Sequence, residues 1–503
     1  MRGSEKWIEN KAPLATLLVI TGLAAVLRLF DLGVHSLWLD EMGQVIAASG
    51  SWQHLFKFVT HHLSPPLDYV ITKAFLAFGD SEWIVRLPAF VAGVCAVPLT
   101  YVFARRVATE ETALLASVFL AVAPEAIAYS QEARMYSLFL LLSILSFWLV
   151  SRFTEKRSWA RALTLGMANG LLLLTHYFAF FILGTEFLIL GVFLYRNRSF
   201  AADLPKVVVS LVLAGVMFLP WVPGLLYQLR HSNGQIWYGL GTNPDYWKDI
   251  FSSLSSNTGE GFWYCVFIGL FVIGLIGAAV KKQYVLVVLA LSFLGILGGL
   301  YFLSFFKRIV TTRNLIFLLP IYLILCAEGI RILLVAGRIP SRIGMLMIVA
   351  LMGWPVYYCH FSGRPDYKPE WKGAIEYLGP RLAPGEKIIT TEIYSRGCLG
   401  YYLDRHAEYS FMQNRWMESR NDPRWRIWAL QDDTILAITA GQVRGWFVMP
   451  PILSGVPDPE TMRERLRKIL PQPSMIFKTQ GRGRPLAIYR LEPAPAAPPA
   501  INN

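Results

Sequence analysis

The chain has 503 residues, of which 54% are hydrophobic and 16% are charged, and its formal net charge is +13. Soluble domains carry about 25% charged residues, so this composition argues against a soluble protein and favours a polytopic membrane protein. The Lys and Arg residues lie in short clusters between apolar runs, a pattern that membrane topology explains better than a nucleic-acid-binding face.

Apolar runs of about the length of a membrane span recur as far as residue 360. A helix needs about 20 apolar residues to cross a bilayer, and on this basis we expect about eleven spans, with about thirteen as the upper bound. The first run follows basic residues and has no small-x-small cleavage site, which predicts an uncleaved span with a cytoplasmic N-terminus. A shorter apolar helix at 66–78 is expected on the membrane surface. The predicted spans are 14–30, 84–104, 112–123, 135–151, 160–174, 177–195, 206–223, 262–280, 284–303, 314–330 and 343–360.

The basic clusters between these spans support one orientation, in which the loop 31–83 is external. Five clusters fall on the cytoplasmic side: Arg105–Arg106, Arg152–Arg161, Arg196–Lys206, Lys281–Lys282 and Arg338–Arg342. Lys307, Arg308 and Arg313 fall on the external side, against the rule. Binding of a lipid-linked phosphate is one explanation, because Arg matches phosphate oxygens bidentately. Simple attraction to anionic headgroups is the alternative.

An acidic pair, Asp40–Glu41, follows the first span in the external loop. Carboxylates beside a membrane span are costly unless they bind a cation or handle protons. One interpretation is therefore a general base at the external surface, with or without a bound cation. The alternative is capping of a helix N-terminus by the two acids.

The stretch 130–136 also lies at the external surface and is expected to open a helical span. Glu132 and Tyr136 are four residues apart and would share a helix face. A carboxylate and the guanidinium of Arg134 at the head of a span can hold a phosphate, a metal or a sugar hydroxyl. A local ion pair at a helix start is the alternative.

Further polar residues at the external ends of spans are candidates for substrate binding: His62, His176 and Tyr177, together with Tyr136. His62 is also a candidate metal ligand, with Asp40 and Glu132, although a histidine in a loop more often binds none. A lone His176 at the interface is also consistent with an ordinary hydrogen-bonded residue. The five cysteines form no C-x-x-C pair and indicate neither a disulfide framework nor a thiolate metal site.

From about Gly363 the composition changes, and apolar runs shrink to the length of strands. We therefore divide the chain into a membrane module, 1–362, an external α/β domain, 363–491, and a disordered Pro/Ala-rich tail, 492–503. Within the domain the pattern predicts helices at 370–377 and 461–469, strands at 387–391 and 445–449, and a hairpin at 474–490 that turns at 481–483.

Six short stretches occur in an order typical of one superfamily: Leu37–Glu41, Ser64–Tyr69, Phe78–Pro88, Tyr129–Tyr136, Thr175–Phe178 and Thr312–Pro320. Together they resemble the GT-C glycosyltransferases, in particular the bacterial family 39/83-type enzymes related to protein O-mannosyltransferases and to the aminoarabinose transferase of lipid A. The resemblance covers roughly residues 14–380. Two positions depart from it: Asn314 replaces a frequent aromatic residue, and Asp68 replaces a frequent Tyr or Phe.

The resemblance implies a GT-C fold and transfer of a sugar from a polyprenyl phosphate to an external glycan, lipid or protein, with inversion. It implies Asp40 as the general base, with Glu41 and Glu132 as helpers. It also implies that basic residues hold the donor phosphate: Arg134, Arg313, Lys307 and Arg308. The resemblance fixes no cofactor and leaves a divalent metal open, since some GT-C enzymes use one and others do not. A phosphate whose charge is stabilised can leave without help from a strong acid. A single general base then accelerates the reaction by about 10²–10⁴-fold.

Two other functions remain open. A transporter or flippase for lipid-linked glycans would place charges near the membrane midplane on broken helices, whereas the acids here lie at one surface. A membrane-anchored binding protein acting through 363–503 would leave the external acids unexplained. We therefore expect an enzyme of the bacterial inner membrane, with its site and C-terminal domain on the periplasmic or extracellular face and no nucleic-acid partner.

Overall fold

The computed structural model describes residues 12–197, 200–231, 240, 245–255, 261–307, 309–337, 341–360, 368–390, 393–403, 427–429, 444–449, 475–479 and 485–491. The chain divides into two compact units. The first unit comprises Met1–Leu32, Ser51–Gly79 and Trp83–Arg364. The second comprises Gly33–Gly50, Asp80–Glu82 and Pro365–Asn503.

Up to residue 360 the described chain is helical, with short connections. The helices are α1 Ala12–Leu29, α2 Leu39–Ser49, α3 Trp52–Thr60, α4 Leu67–Phe75, α5 Glu82–Val107, α6 Glu110–Val122, α7 Pro124–Ser130, α8 Tyr136–Glu155, α9 Trp159–Leu173, α10 Ala179–Arg196, α11 Phe200–Phe218, α12 Val222–His231, α13 Tyr246–Ser255, α14 Gly261–Val280, α15 Tyr284–Ser304, α16 Leu319–Ala336 and α17 Ser341–His360. Three 3₁₀ helices, Leu76–Phe78, Leu219–Trp221 and Thr312–Leu318, extend α4, join α11 to α12 and precede α16. The expected α-helical membrane fold is therefore confirmed.

The described helices support fewer spans than the eleven expected. Seven helical stretches have the length and hydropathy of a span: Glu82–Val107, Tyr136–Glu155, Ala179–Arg196, Ala202–His231, Gly261–Val280, Tyr284–Ser304 and Thr312–Ala336. The pair α6 and α7, bent by 55°, would make an eighth. The predicted spans 14–30 and 160–174 also form helices, but the apolar segment Pro13–Leu29 and the 15-residue α9 are short for a bilayer.

Close packing of α14 against α16 depends on two glycines. A Cβ atom on Gly274 would lie 2.0 Å from the carbonyl oxygen of Leu325, and one on Gly329 would lie 2.0 Å from that of Leu270. Small residues let helix backbones approach closely in membranes, where apolar burial gives little drive for association. This contact fixes α16 and the 3₁₀ helix Thr312–Leu318 that leads into it.

The second unit contains a sheet of five strands: β1 Lys387–Thr390, β2 Ile427–Ala429, β3 Gly445–Met449, β4 Met475–Lys478 and β5 Ala487–Leu491. Their order across the sheet is β2-β1-β3-β5-β4. The central strand β3 pairs in parallel with β1 and antiparallel with β5. β2 lies parallel to β1, and β4 lies antiparallel to β5. Two helices, α18 Trp371–Leu378 and α19 Ile393–Leu403, belong to the same unit.

The local predictions for this region are confirmed where residues are described. The helix expected at 370–377 is α18, the strands expected at 387–391 and 445–449 are β1 and β3, and the hairpin is β4–β5. The helix predicted at 461–469, the turn at 481–483 and the tail at 492–503 lie outside the described residues. The sequence pattern did not reveal β2, nor that α2 belongs to this unit.

Glu386, just before β1, joins three parts of the second unit. Its carboxylate accepts a hydrogen bond of 3.0 Å from Nη1 of Arg490 in β5 and one of 3.3 Å from Nε1 of Trp446 in β3. It also accepts one of 3.1 Å from the backbone N–H of Ala383. The Arg490 hydrogen bond holds the pKa of this buried carboxyl below its usual value, although burial alone would raise it.

Candidate active site

The acidic pair Asp40–Glu41 lies in the first turn of α2, within the second unit. Glu41 is fully buried, and its Oε2 atom accepts a hydrogen bond of 3.4 Å from the backbone N–H of Trp38. The same oxygen lies 3.4 Å from Nζ of Lys368, whose side chain is also buried. Asp40 is only half-buried. Glu41 thus caps the helix and forms an ion pair, and Asp40 is the more exposed acid.

In the first unit, Arg28 occupies the break between α6 and α7. Its guanidinium is fully buried and donates 2.7 Å and 3.0 Å hydrogen bonds to the carbonyl oxygens of Ala121 and Leu120. Its Nε atom donates to Oγ of Ser130 at 3.1 Å. Carbonyl groups at the end of a helix lack intrahelical donors, and Pro124 has no N–H to offer. Arg28 therefore supplies the donors that hold this break in place.

The turn 131–135, which follows α7, carries Glu132 and Arg134. We expected a helix here, with Glu132 and Tyr136 on one face; this is wrong, because α8 begins only at Tyr136. The side chain of Gln131 instead donates a 3.1 Å hydrogen bond to the carbonyl oxygen of Arg28. The end of α1 therefore holds this turn, and the buried Glu132 lies within it.

Arg134 and Arg313, which we expected to bind phosphate, both approach the rings of Tyr136 and His176. The guanidinium carbon of Arg313 lies 5.8 Å from the ring centre of Tyr136. The ring centres of Tyr136 and His176 are 6.3 Å apart. Arg134 lies close enough to His176 to interact electrostatically, and its Nη1 atom donates to the hydroxyl of Tyr69 in α4 at 3.4 Å. Two positive charges therefore converge here from different elements.

His176 is a buried ring with a fixed orientation. Its Nδ1 atom accepts a 3.1 Å hydrogen bond from the backbone N–H of Phe178, and its side chain also bonds to that of Asn314. Burial lowers the pKa of His176 to about 4; the Asn314 bond opposes this shift and the charge of Arg134 adds to it. The ring is therefore neutral near pH 7, with its proton on Nε2. Asn314 stands where the superfamily often has an aromatic residue, and here its side chain hydrogen-bonds to His176.

Glu125 is a site residue that the sequence reasoning missed. It lies in α7, and its carboxylate accepts hydrogen bonds from Oγ of Ser253 in α13, at 2.9 Å, and from Tyr129. Arg313 interacts with Glu125 electrostatically. The ring of Tyr129 lies 4.9 Å from that of Tyr136. The sequence shows an acid in this external segment. Its partner Ser253 lies 128 positions away, so no pattern of neighbouring residues predicts the contact.

Gln228 in α12 is a second missed residue, and it organises the loop before α4. Its Nε2 atom donates to the carbonyl oxygens of Val59, at 2.8 Å, of Ser64, at 3.3 Å, and of His62. Its Oε1 atom accepts a hydrogen bond from the hydroxyl of Tyr177. Gln228 therefore links two of the residues that we expected to bind substrate, His62 through its backbone and Tyr177 through its side chain.

The other predicted site residues lie apart from these contacts or have local partners. The ring of His62 stacks on Phe58 and its Nδ1 atom bonds to the Phe58 carbonyl oxygen at 2.8 Å. Lys307 is exposed just after α15, and Arg308 lies outside the described residues. Within the described ranges, no three His, Cys, Asp or Glu side chains form a group suited to a metal ion.

Comparison with known proteins identifies one family in part of the chain. Residues 63–222 match the dolichyl-phosphate-mannose-protein mannosyltransferase family. No curated protein matches the sequence. The matched segment includes the Ser64–Tyr69, Tyr129–Tyr136 and Thr175–Phe178 stretches.

Similar solved structures share their fold with nearly the whole chain. ArnT from Cupriavidus metallidurans in the apo state has a TM-score of 0.59 at 14% identity, over 95% of this chain and 98% of that one. The same protein bound to undecaprenyl phosphate gives 0.57 at 13% identity, over 97% and 98%. The oligosaccharyltransferase of Archaeoglobus fulgidus, in complex with zinc and sulfate, gives 0.52 at 11% identity, over 86% and 67%. Together with the family match, these shared folds confirm the resemblance inferred from the motifs: the chain has the architecture of the GT-C glycosyltransferases.

Proposed function

We propose that this protein transfers a sugar from a polyprenyl-phosphate donor to an acceptor at the external face of the bacterial inner membrane, with inversion at the anomeric carbon. The observation that carries the proposal is the convergence of Arg134 and Arg313 on the Tyr136–His176 pair. Two guanidinium groups offer the bidentate donors that phosphate oxygens accept. The structures of ArnT with undecaprenyl phosphate and of the archaeal enzyme AglB with dolichol-phosphate support this donor class.

In this mechanism Asp40 accepts the proton of the acceptor hydroxyl as its oxygen bonds to the anomeric carbon. The bond from that carbon to the phosphate oxygen breaks, and the lipid phosphate leaves with the electron pair. Positive groups aimed at the departing oxygens stabilise the charge that develops there. Arg134 and Arg313 have that role, assisted by Lys307 and Arg308. The half-exposed position of Asp40 on the helix supports its role better than that of the buried, ion-paired Glu41.

The remaining residues bind and orient. Neutral His176 keeps an N–H donor on Nε2 and adds no charge beside the two arginines. Tyr136 presents its ring to Arg313, which orients the guanidinium by a cation–π contact. Glu132, Tyr177 and His62 complete the set that we assign to substrate binding.

Donor binding can be tested with undecaprenyl phosphate as the probe. We expect the full-length protein in nanodiscs to bind it, as measured by native mass spectrometry, and Arg313→Ala and Arg134→Ala to weaken binding by at least about tenfold, the scale of a lost charged hydrogen bond. Arg381→Ala, at an exposed position of the second unit, is the control. Unchanged binding in both site variants would remove the arginines from the donor site.

Transfer is tested by comparing glycans and lipids extracted from a deletion strain with those from the same strain complemented. Wild type should restore a glycosylated product, and Asp40→Asn should not, although it should still bind undecaprenyl phosphate. Restoration by Asp40→Asn would show that Asp40 is not the base. If wild type restores nothing, the proposed function is wrong.

A flippase for lipid-linked glycans is the second candidate. The bend of 55° between α6 and α7 favours it, because broken helices are common at transporter binding sites. The two functions can be separated in proteoliposomes that contain a labelled polyprenyl-phosphate sugar. A flippase would move this lipid from one leaflet to the other without changing its mass. A transferase would release the unglycosylated lipid phosphate.

A further inference from the structure

The helix that carries Asp40 is held by residues from the far end of the chain. The backbone N–H of Leu37 donates a 2.7 Å hydrogen bond to the hydroxyl of Tyr402 in α19, 365 positions away. The hydroxyl oxygen of Ser36 accepts a 3.1 Å hydrogen bond from the backbone N–H of Lys372 in α18. All of these residues belong to the second unit, so its last part fixes the entry to α2.

The third tether is the ion pair between Glu41 and Lys368. Glu41 is fully buried and Lys368 is 5% exposed, with 3.4 Å between Nζ and Oε2. Burying two charges is expensive, and a well-packed apolar pair of similar size is often as stable. Such a pair is therefore poorly explained as a device for stability alone. It is better explained by a need for one fixed geometry.

The geometry that the pair fixes is the rotation of α2 about its own axis. Successive residues on an α-helix point about 100° apart. With Glu41 held against Lys368, the neighbouring Asp40 must point away from Lys368 and remain on the less buried side. The Trp38 N–H bond to the same carboxylate fixes the first turn along the axis as well.

We infer that the C-terminal part of the second unit is a positioning element for the acidic helix, and that Glu41 and Lys368 are the positioning residues that aim Asp40. This inference rests on the proposed role of Asp40. Without the ion pair, α2 keeps its sequence and its acid but loses the constraint on its rotation. A base held at a poor angle slows the chemical step, whereas donor binding by the arginines of the first unit is unaffected.

The variant Lys368→Met removes the charge while keeping an unbranched side chain, and Lys368→Arg restores the charge. In the full-length protein we expect Lys368→Met to lower kcat for sugar transfer at least about tenfold, the scale of coupling between contacting residues, with the donor KM within about twofold. Lys368→Arg should recover much of kcat. Lys478→Met, at an exposed position of β4, is the matched control.

Hydrogen–deuterium exchange of the peptide spanning α2 gives a readout that does not depend on catalysis. Lys368→Met should speed exchange in 39–49 while leaving β1, β3 and β5 protected; faster exchange throughout the unit would instead indicate a general loss of stability and overturn the inference. Unchanged exchange and unchanged kcat would also overturn it. If Asp40→Asn keeps full activity, the proposed base is wrong, and the exchange measurement still decides whether the pair holds α2.

Discussion

The hydroxyl of Tyr177 donates a hydrogen bond of 2.5 Å to Oε1 of Gln228. The same hydroxyl accepts one of 3.0 Å from Nε1 of Trp221. The other end of the Gln228 amide binds the carbonyl oxygens of the segment 59–64. The side chain of Gln228 thus hydrogen-bonds both to the loop that precedes α4 and to the tyrosine that precedes α10. These bonds hold the two segments at a fixed separation.

Gln228→Ala should therefore destabilise the first unit. The substitution removes the hydrogen bonds of this buried amide to the Val59 carbonyl oxygen and the Tyr177 hydroxyl, and each such hydrogen bond contributes about 0.5–1.5 kcal/mol to stability. We expect a lower Tm for the full-length protein in detergent and weaker binding of undecaprenyl phosphate. Gln53→Ala, at an exposed position of α3, is the control. An equal Tm for the two variants would contradict the proposed link.

Gly274→Ala and Gly329→Ala should each disrupt the contact between α14 and α16. A methyl group at either position would lie 2.0 Å from a backbone oxygen, so the helices must separate. Overpacking of this kind costs about 1–3 kcal/mol. Gly269→Ala is a control in the same helix, because a Cβ atom there would meet nothing within 4 Å. In thermal unfolding in detergent, Gly274→Ala and Gly329→Ala should lower the Tm and Gly269→Ala should not. A decrease in Tm for Gly269→Ala as large as that for Gly274→Ala would refute the explanation.

Gly93→Ala should displace the contact between Arg28 and Ser130. A Cβ atom at this position would lie 1.9 Å from Oγ of Ser130 and 3.3 Å from Nε of Arg28. Since Arg28 holds the α6–α7 break and Gln131 follows it, we expect lower activity as well as a lower Tm. Gly184→Ala, with open space around its Cβ position, should change neither. Wild-type activity in Gly93→Ala would show that the turn 131–135 does not depend on this packing.

The Glu386–Arg490 pair predicts a pH dependence for the second unit. The folded-state pKa of Glu386 lies below its unfolded value of 4.5, so its stabilising effect is complete above that value and is lost as the pH falls through the folded-state pKa. The difference in Tm between wild type and Glu386→Gln should therefore be largest near pH 7 and shrink below pH 4.5. Glu376→Gln, at an exposed position of α18, is the control. A difference that stays constant from pH 7 to pH 3 would contradict the pair's contribution.

The local sequence pattern predicted most of the described helices and strands, because the formation of these elements depends mainly on residues close together in the chain. The strand at Gly445–Met449 and the helix at 370–377 are examples, since apolar periodicity and turn residues bound them. The turn at 131–135 was missed, because the side chain of Gln131 binds a backbone carbonyl oxygen about a hundred positions earlier in the chain. About eleven spans were expected, and seven or eight stretches among the described helices have the length and composition of a span, because apolar runs such as 14–30 and 160–174 form shorter helices.

The candidate site was predictable in its residue types and only partly in its geometry. Arg313 and His176 were candidates because of their place at the ends of spans, and they do approach Tyr136. Glu125 and Gln228 were missed because their partners are far away in the sequence. The same holds for Lys368, which a pattern of neighbours could not connect with Glu41.

The pairing of Ser36 with Lys372, 336 positions apart, has a consequence for biosynthesis. The acidic helix is among the first segments to leave the ribosome, yet its partners are synthesised after the last helix of the first unit. Contacts between such distant segments form late in folding. A nascent or truncated chain that ends before residue 368 would contain every described helix as far as α17 and still lack the groups that contact Ser36, Leu37 and Glu41. The first turn of α2 therefore gains these partners only after the helices of the first unit have been synthesised.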